Sequence, residues 1–173
     1  MTMKYAGIIK NDIAAAPGIS LTFFTQGCPH HCTGCHNPET WGFDGGKEFT
    51  QDVLNDILIS LKDNDIERSF CVMGGEPLCE QNLFLTLLVV KTVRNTYKDI
   101  PIYLWTGYYY EELKSFTNNK VSQILELIDV LIDGPYDKFK RDITLKMRGS
   151  SNQSIIDMRA TREKGEKVLW QKN

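Results

Sequence analysis

Apolar and polar positions change period several times along the chain, and the changes outline alternating strands and helices. After Pro17-Gly18, the run from 17 to 26 sets Ile19, Leu21 and Phe23 against Ser20, Thr22, Phe24 and Thr25, the rough alternation of a strand that stops at Gly27. Residues 28–47 are rich in Gly, Pro, Asn and His and read as a loop. Thr50 is placed to cap a helix, with Asp52 in its first turn and Val53, Leu54, Ile57, Leu58 and Leu61 at helical spacing. Residues 68–73 predict a buried strand stopped by Gly74-Gly75. A second helix is predicted from about 80 to 97, and Ile102 to Trp105 as a third strand ended by Gly107. Tyr110 to Phe116 and Val121 to Ile128 read as helices, and Asp129 to Ile132 as a strand before Gly134-Pro135. Ser154 to Met158 and Lys167 to Trp170 are possible late strands.

Strands that alternate with helices imply right-handed βαβ units and a parallel sheet. A closed eight-fold barrel takes about 250 residues, and this chain has 173. The expected fold is therefore α/β, an open partial (β/α) barrel of about four to six mostly parallel strands, formed by one domain over 1–173. Chemistry in such sheets sits at the carboxyl ends of the strands. Four loops belong there: the cysteine loop, Gly74 to Pro77, Trp105 to Tyr108, and Asp133 to Tyr136.

Composition narrows the class. The chain is 42% hydrophobic and 24% charged, which suits a soluble globular protein. No apolar run is long enough to span a bilayer, and Met1 to Lys10 lacks the apolar region of a signal peptide, so the expected location is cytoplasmic. A net charge of −2 argues against a nucleic-acid binder. The charge is uneven, however. Residues 138–173 hold 10 Lys/Arg against 4 Asp/Glu, a surplus of 6, so residues 1–137 carry −8. This is either a solvated basic tail or a docking surface for an acidic partner.

Three of the five cysteines crowd into Cys28, Cys32 and Cys35, spaced Cys-x3-Cys-x2-Cys; the others are Cys71 and Cys79. An odd count in so short a span points to metal or catalysis rather than a disulfide framework. Soft thiolates suit iron–sulfur clusters and zinc. A four-iron cluster held by three thiolates keeps one iron open to a small ligand, whereas electron-transfer clusters usually take four cysteines. Two alternatives stay open from spacing alone. One is structural zinc, since His30, His31 and His36 share the loop and one could complete a tetrahedron. The other is a four-cysteine cluster that recruits Cys71 or Cys79. Gly74-Gly75-Glu76-Pro77 adds a turn whose glycines let backbone approach a ligand, with carbonyls for an ammonium group and Glu76 for charge.

The cysteine loop and the Gly-Gly-Glu turn together resemble the radical S-adenosylmethionine (SAM) superfamily. Within it the chain resembles the family that activates anaerobic ribonucleoside-triphosphate reductases. The matching blocks are Gly27 to Trp41, Gly74 to Leu78, Trp105 to Tyr108 with Glu111-Glu112-Leu113, Asp129 to Pro135, and Arg148 to Gln153. The resemblance implies that Cys28, Cys32 and Cys35 ligate a [4Fe-4S] cluster. It implies that Gly34, Cys35 and His36 line SAM, and that Gly74, Gly75 and Glu76 hold its methionyl amino group. It places Asp133 near the methionine or the substrate glycine, and assigns Arg148 to Gln153 to SAM or to the partner. Many members of the superfamily carry an aromatic before the third cysteine; this chain has Gly34, as the activating family does, and His36 becomes the candidate adenine contact. Trp41, Trp105 and Tyr108 to Tyr110 read by default as core or rim packing.

The implied reaction is reductive cleavage of SAM to a 5′-deoxyadenosyl radical, which takes hydrogen from a glycine of the reductase. The implied partners are that glycyl-radical subunit and a reductant of flavodoxin or ferredoxin type, with neither nucleic acid nor membrane. Rival readings are a pyruvate formate-lyase activase, a 7-carboxy-7-deazaguanine synthase type of enzyme, and a non-catalytic zinc-binding module.

Overall fold

The structure, a computed structural model, describes residues 2–171. Its strands are β1 (Lys4–Asp12), β2 (Ile19–Thr25), β3 (Lys47–Glu48), β4 (Arg68–Met73), β5 (Ile102–Trp105), β6 (Val130–Asp133) and β7 (Ser154–Asp157). Its α-helices are α1 (Gln51–Lys62), α2 (Leu83–Thr96), α3 (Tyr110–Ser115), α4 (Asn119–Leu127) and α5 (Met158–Lys164). The strands form one sheet in the order β3-β1-β2-β4-β5-β6-β7, with β3 and β7 at the edges. The centre, β2-β4-β5-β6, is parallel, as the βαβ pattern requires. The flanks are antiparallel: β1 pairs with β2 and β3, and β7 with β6.

The α/β class and an open sheet agree with expectation. The strand count does not, because the described residues form seven strands rather than four to six, and three of the six pairings are antiparallel. The reason is β1. Its sequence, Lys4 to Asp12, has no clean alternation, and much of it is half-buried or exposed, so hydrophobic periodicity could not mark it. Backbone pairing to β2 holds it instead, with a shift in register between Tyr5 and Gly7. The late segment also differs. Met158 opens α5 rather than ending a strand, because Asp157 Oδ1 caps it by accepting from Ala160 N at 2.9 Å and Gly165 closes it. The predicted strand 167–170 reduces to a single bridge between Ile156 and Leu169.

Alternation along the central strands separates two layers. Leu21, Phe23, Phe70, Val72, Ile102, Leu104, Leu131 and Ile156 face the main core with α1, α2 and α4. Each fully buried side chain of this kind contributes about 1.5–3 kcal/mol of transfer free energy, an upper value. α1 begins where Thr50 Oγ1 accepts from Val53 N at 3.4 Å, and it buries Leu54, Ile57 and Leu61. α2 begins at Leu83, later than its apolar spacing suggests, because Cys79 to Asn82 form a turn. The opposite face of the sheet carries Cys71, Tyr103, Val130 and Ile132, with Met73, Trp105, Met147 and Trp170 packed beside them.

Candidate functional site

A cavity of about 560 Å³ opens at the carboxyl ends of the parallel strands. Of the residues predicted to hold the cluster or line its ligand, Cys28, Cys32, Cys35, His36, Gly74, Gly75 and Glu76 line it, and Gly34 does not. Gly34 turns its open side to Tyr136 and Lys138. Sequence reasoning did not anticipate Asp12, Ala14 and Ala15, which come from the β1–β2 connection that the pattern left unread. Asp12 shapes that connection, accepting from Ala14 N at 2.8 Å and from Thr22 Oγ1 at 2.7 Å.

The cysteine loop is tied down at both ends. Gly27 N donates to Thr40 O at 2.7 Å and Cys28 N to Trp41 O at 3.0 Å. Gly75 N donates to Thr40 Oγ1 at 2.9 Å, and Glu76 N to Gly27 O at 2.8 Å. Gly75 has φ +36°, and a Cβ there would stand 2.6 Å from Gly27 O. The close approach expected of the Gly-Gly turn is thus made to the chain's own cysteine loop.

Glu76 is the junction beneath. It is 1% exposed, and both carboxylate oxygens are taken up. Oε1 accepts from Leu78 N at 2.8 Å and Thr106 Oγ1 at 2.7 Å; Oε2 accepts from Gly107 N at 2.7 Å and pairs with His30 Nε2 at 2.9 Å. A Cβ on Gly107 would meet the His30 ring at 2.5 Å, so glycine is required where the imidazole crosses. Tyr108 packs edge-on to His30, ring centres 4.5 Å apart. One buried carboxylate thereby joins the cysteine loop, the β4 turn and the β5 turn.

All five thiols are free, and only three line the cavity. Burial pushes Cys28 up to about 11, against the opposing hydrogen bonds of the His30 and His31 amides. Cys32 is likewise raised by burial, partly offset by the Tyr136 amide. Cys71 and Cys79 lie in the interior, with burial pushing them up to about 12 and about 11. Among the described residues, no three His, Cys, Asp or Glu side chains close around one point as a single metal ion requires. Cys28, Cys32 and Cys35 contribute to the lining of the cavity.

The amino-acid sequence has known relatives. Residues 14–156 match the family model described as a 4Fe-4S single cluster domain. An anaerobic ribonucleoside-triphosphate reductase-activating protein of Pasteurella multocida is 41% identical over 154 residues, 88% of this chain and 96% of the relative. That of Escherichia coli K12 is 37% identical over 158 residues, 91% of this chain and 100% of the relative. The phage T4 protein of the same name is 33% identical over 153 residues, 88% and 93% of the two chains. The chain belongs to the family of anaerobic ribonucleoside-triphosphate reductase-activating proteins.

The fit of this activating-family chain to a four-iron cluster rests on its donors. Three soft thiols are spread over the lining of a large cavity, each with a backbone N–H directed at sulfur, that of Asn37 reaching Cys35 Sγ at 3.4 Å. Donors spread in this way suit a group that spans them, where single zinc draws its ligands in to about 2.3 Å. Of the other blocks that carry the family resemblance, one residue falls elsewhere than expected and one block reaches the cavity. Asp133 is fully buried and outside the cavity lining; it accepts from Tyr110 N at 2.9 Å and Ser154 N at 3.0 Å and pairs with Lys167 Nζ at 3.2 Å. It ties α3 and β7 to β6, so its expected place beside the ligand is corrected to a structural one. In the Arg148 to Gln153 block, Gln153 Oε1 accepts from Gly149 N at 2.9 Å and Gln153 Nε2 donates to Gly134 O at 3.0 Å. Arg148, Gly149 and Gln153 reach the cavity, while Asn152 Nδ2 donates to Pro135 O at 2.8 Å. Trp105 also lines the cavity and donates from Nε1 to Met147 O at 2.7 Å, so it does more than fill core.

Proposed function

We propose that this chain activates an anaerobic ribonucleoside-triphosphate reductase as a radical SAM enzyme. The observation that carries the reading is the placement of the cysteines: Cys28, Cys32 and Cys35 line one cavity, and Cys71 and Cys79 are outside its lining. That leaves three protein thiolates for the cluster and none of the other two poised to complete a fourth. A bound cluster would pass one electron to SAM, splitting it into methionine and a 5′-deoxyadenosyl radical, which would take a hydrogen atom from a glycine of the reductase to leave 5′-deoxyadenosine and a glycyl radical.

The protein's own share is holding, orienting and excluding water. Cys28, Cys32 and Cys35 hold the iron. The Gly74-Gly75 turn receives the methionyl amino group, with the Glu76 charge beneath it. His36, exposed on the cavity rim, faces the adenosyl end. Met73, Ala14, Ala15, Trp105 and Met147 form an apolar wall that keeps water from a reactive carbon radical. Hydrogen transfer needs no acid or base, so proximity is the main catalytic lever. A reductant of flavodoxin or ferredoxin type supplies the electron.

The test is anaerobic. Iron-loaded protein with dithionite and SAM is expected to release 5′-deoxyadenosine, and with the cognate reductase to generate a glycyl radical visible by electron paramagnetic resonance. Cys32→Ala is expected to lose iron and both products while keeping its circular dichroism and melting transition. Full activation by that variant, or a colourless protein carrying stoichiometric zinc, would overturn the assignment.

A further inference from the structure

The basic surplus noted in the sequence has a definite place. Residues 137–148 leave the end of β6, pass over the cysteine loop and return along the cavity. Their inner side is part of the site: Met147 and Arg148 line the cavity, as do the flanking Tyr136 and Gly149, and Tyr136 and Lys138 lie against Gly34. Their outer side is exposed and of two kinds. Phe139 is 88% and Ile143 is 80% exposed, both far more open than a lone surface apolar residue needs to be. Around them stand Lys138, Lys140, Arg141 and Lys146, all exposed. Of these four cations only Lys140 has an ion-pair partner among the described residues, Asp137 at 3.9 Å. Asp142 is spent locally, accepting from Thr144 N at 2.9 Å. The segment is anchored at its base, by Trp105 Nε1 on Met147 O and by Ser151 N on Lys140 O at 2.9 Å.

We infer that this basic, apolar-tipped segment is the docking surface for the reductase, and that the reductase presents to it an acidic rim around an apolar patch beside the target glycine. The inference rests on the proposed function. A backbone glycine can meet a radical in this cavity only if the polypeptide bearing it covers the cavity mouth, and residues 137–148 form part of that mouth. A macromolecule seated there must therefore cover Phe139 and Ile143 and face the cations. An electron donor is under no such constraint, since an electron need not pass through the mouth. The exposed apolar pair supplies the desolvated centre, and the cations supply steering and orientation.

Two variants test this, both restricted to side chains outside the cavity lining: Lys140→Glu/Arg141→Glu/Lys146→Glu, and Phe139→Ser/Ile143→Ser. Binding to purified cognate reductase is measured by calorimetry. Each variant is expected to bind at least about tenfold more weakly than the parent, and the parent's affinity is expected to fall with added salt where the charge-reversed variant's does not. Dithionite-driven 5′-deoxyadenosine release without reductase is expected to stay within about twofold of the parent, as outer-surface changes should leave the cavity intact. Unchanged affinity in both variants overturns the docking surface. So does a defect that appears only when a flavodoxin replaces dithionite, because the segment then serves the electron donor. Absence of 5′-deoxyadenosine from the parent itself instead sinks the radical SAM reading, and the binding comparison still decides the surface.

Discussion

The two faces of the sheet use the same strands for opposite ends. Toward α1, α2 and α4, the central strands present Leu21, Phe23, Phe70, Val72, Ile102, Leu104 and Leu131, large and nearly all fully buried. On the other side the same strands present Ser20, Thr22, Ser69, Cys71 and Tyr103, with the Ser20 and Ser69 hydroxyls hydrogen-bonded at 3.0 Å. Loops cover that side in place of helices, and the cavity opens above it. The difference separates stability from chemistry. A close-packed apolar layer pins the strand ends, and the loops beyond them can then be spent on small, polar and glycine-dependent contacts that would not fold alone.

Substitutions should divide along that line. Phe70→Ala, in the helix-covered layer, is expected to cost about 3–5 kcal/mol by denaturant unfolding, through lost transfer free energy plus a cavity. A cost under about 1 kcal/mol would mean the layer collapses around the gap and is not the main source of stability. Gly75→Ala is expected to cost about 2–4 kcal/mol, since its Cβ would press on Gly27 O at a positive φ. Unlike Phe70→Ala, it should also reduce iron bound per chain, measured after anaerobic reconstitution. Thr106→Val removes one of the four partners of Glu76 and is expected to cost about 1–3 kcal/mol. Its diagnostic is again iron content against melting temperature: loss of both ties the junction to the cysteine loop, and loss of stability alone detaches them.

The smallest effect is expected at Cys71. Cys71→Ala should cost about 1 kcal/mol and leave iron content unchanged, as a small buried thiol behaves as an apolar side chain. In metal-free native protein, iodoacetamide should label Cys32 and Cys35, which are partly exposed, well before Cys71 and Cys79. Early labelling of Cys71 would show that the polar face opens to solvent and that the contrast between the faces is weaker than drawn.

Much of this was legible in the chain. Strands β2, β4, β5 and β6 and helices α1, α2 and α4 announce themselves because one face of each meets the same apolar layer, and a periodic environment imposes a periodic sequence. β1 was not legible, since antiparallel pairing to β2 needs backbone groups rather than side chains. Asp157 and Gly165 mark the two ends of α5, but the apolar run before it predicts a strand continuing through Met158. The cysteine loop and the Gly-Gly-Glu turn were visible as motifs because their residue types are chemically unusual. Asp12 and Met147 were not, for they join the cavity only through chain segments brought in from a distance.

The amino-acid sequence alone set the α/β alternation through its periodicity, the three-thiol spacing and, through its resemblance, the family. Only the tertiary structure decided that the Glu76 carboxylate is filled by His30, Leu78, Thr106 and Gly107, that Asp133 is a buried tie, and that the basic segment borders the cavity. The physical reason is range. Periodicity and ligand spacing are written within a dozen neighbouring residues, whereas a hydrogen bond between residues 30 and 76, or 76 and 107, exists only after the sheet has carried its strand ends together.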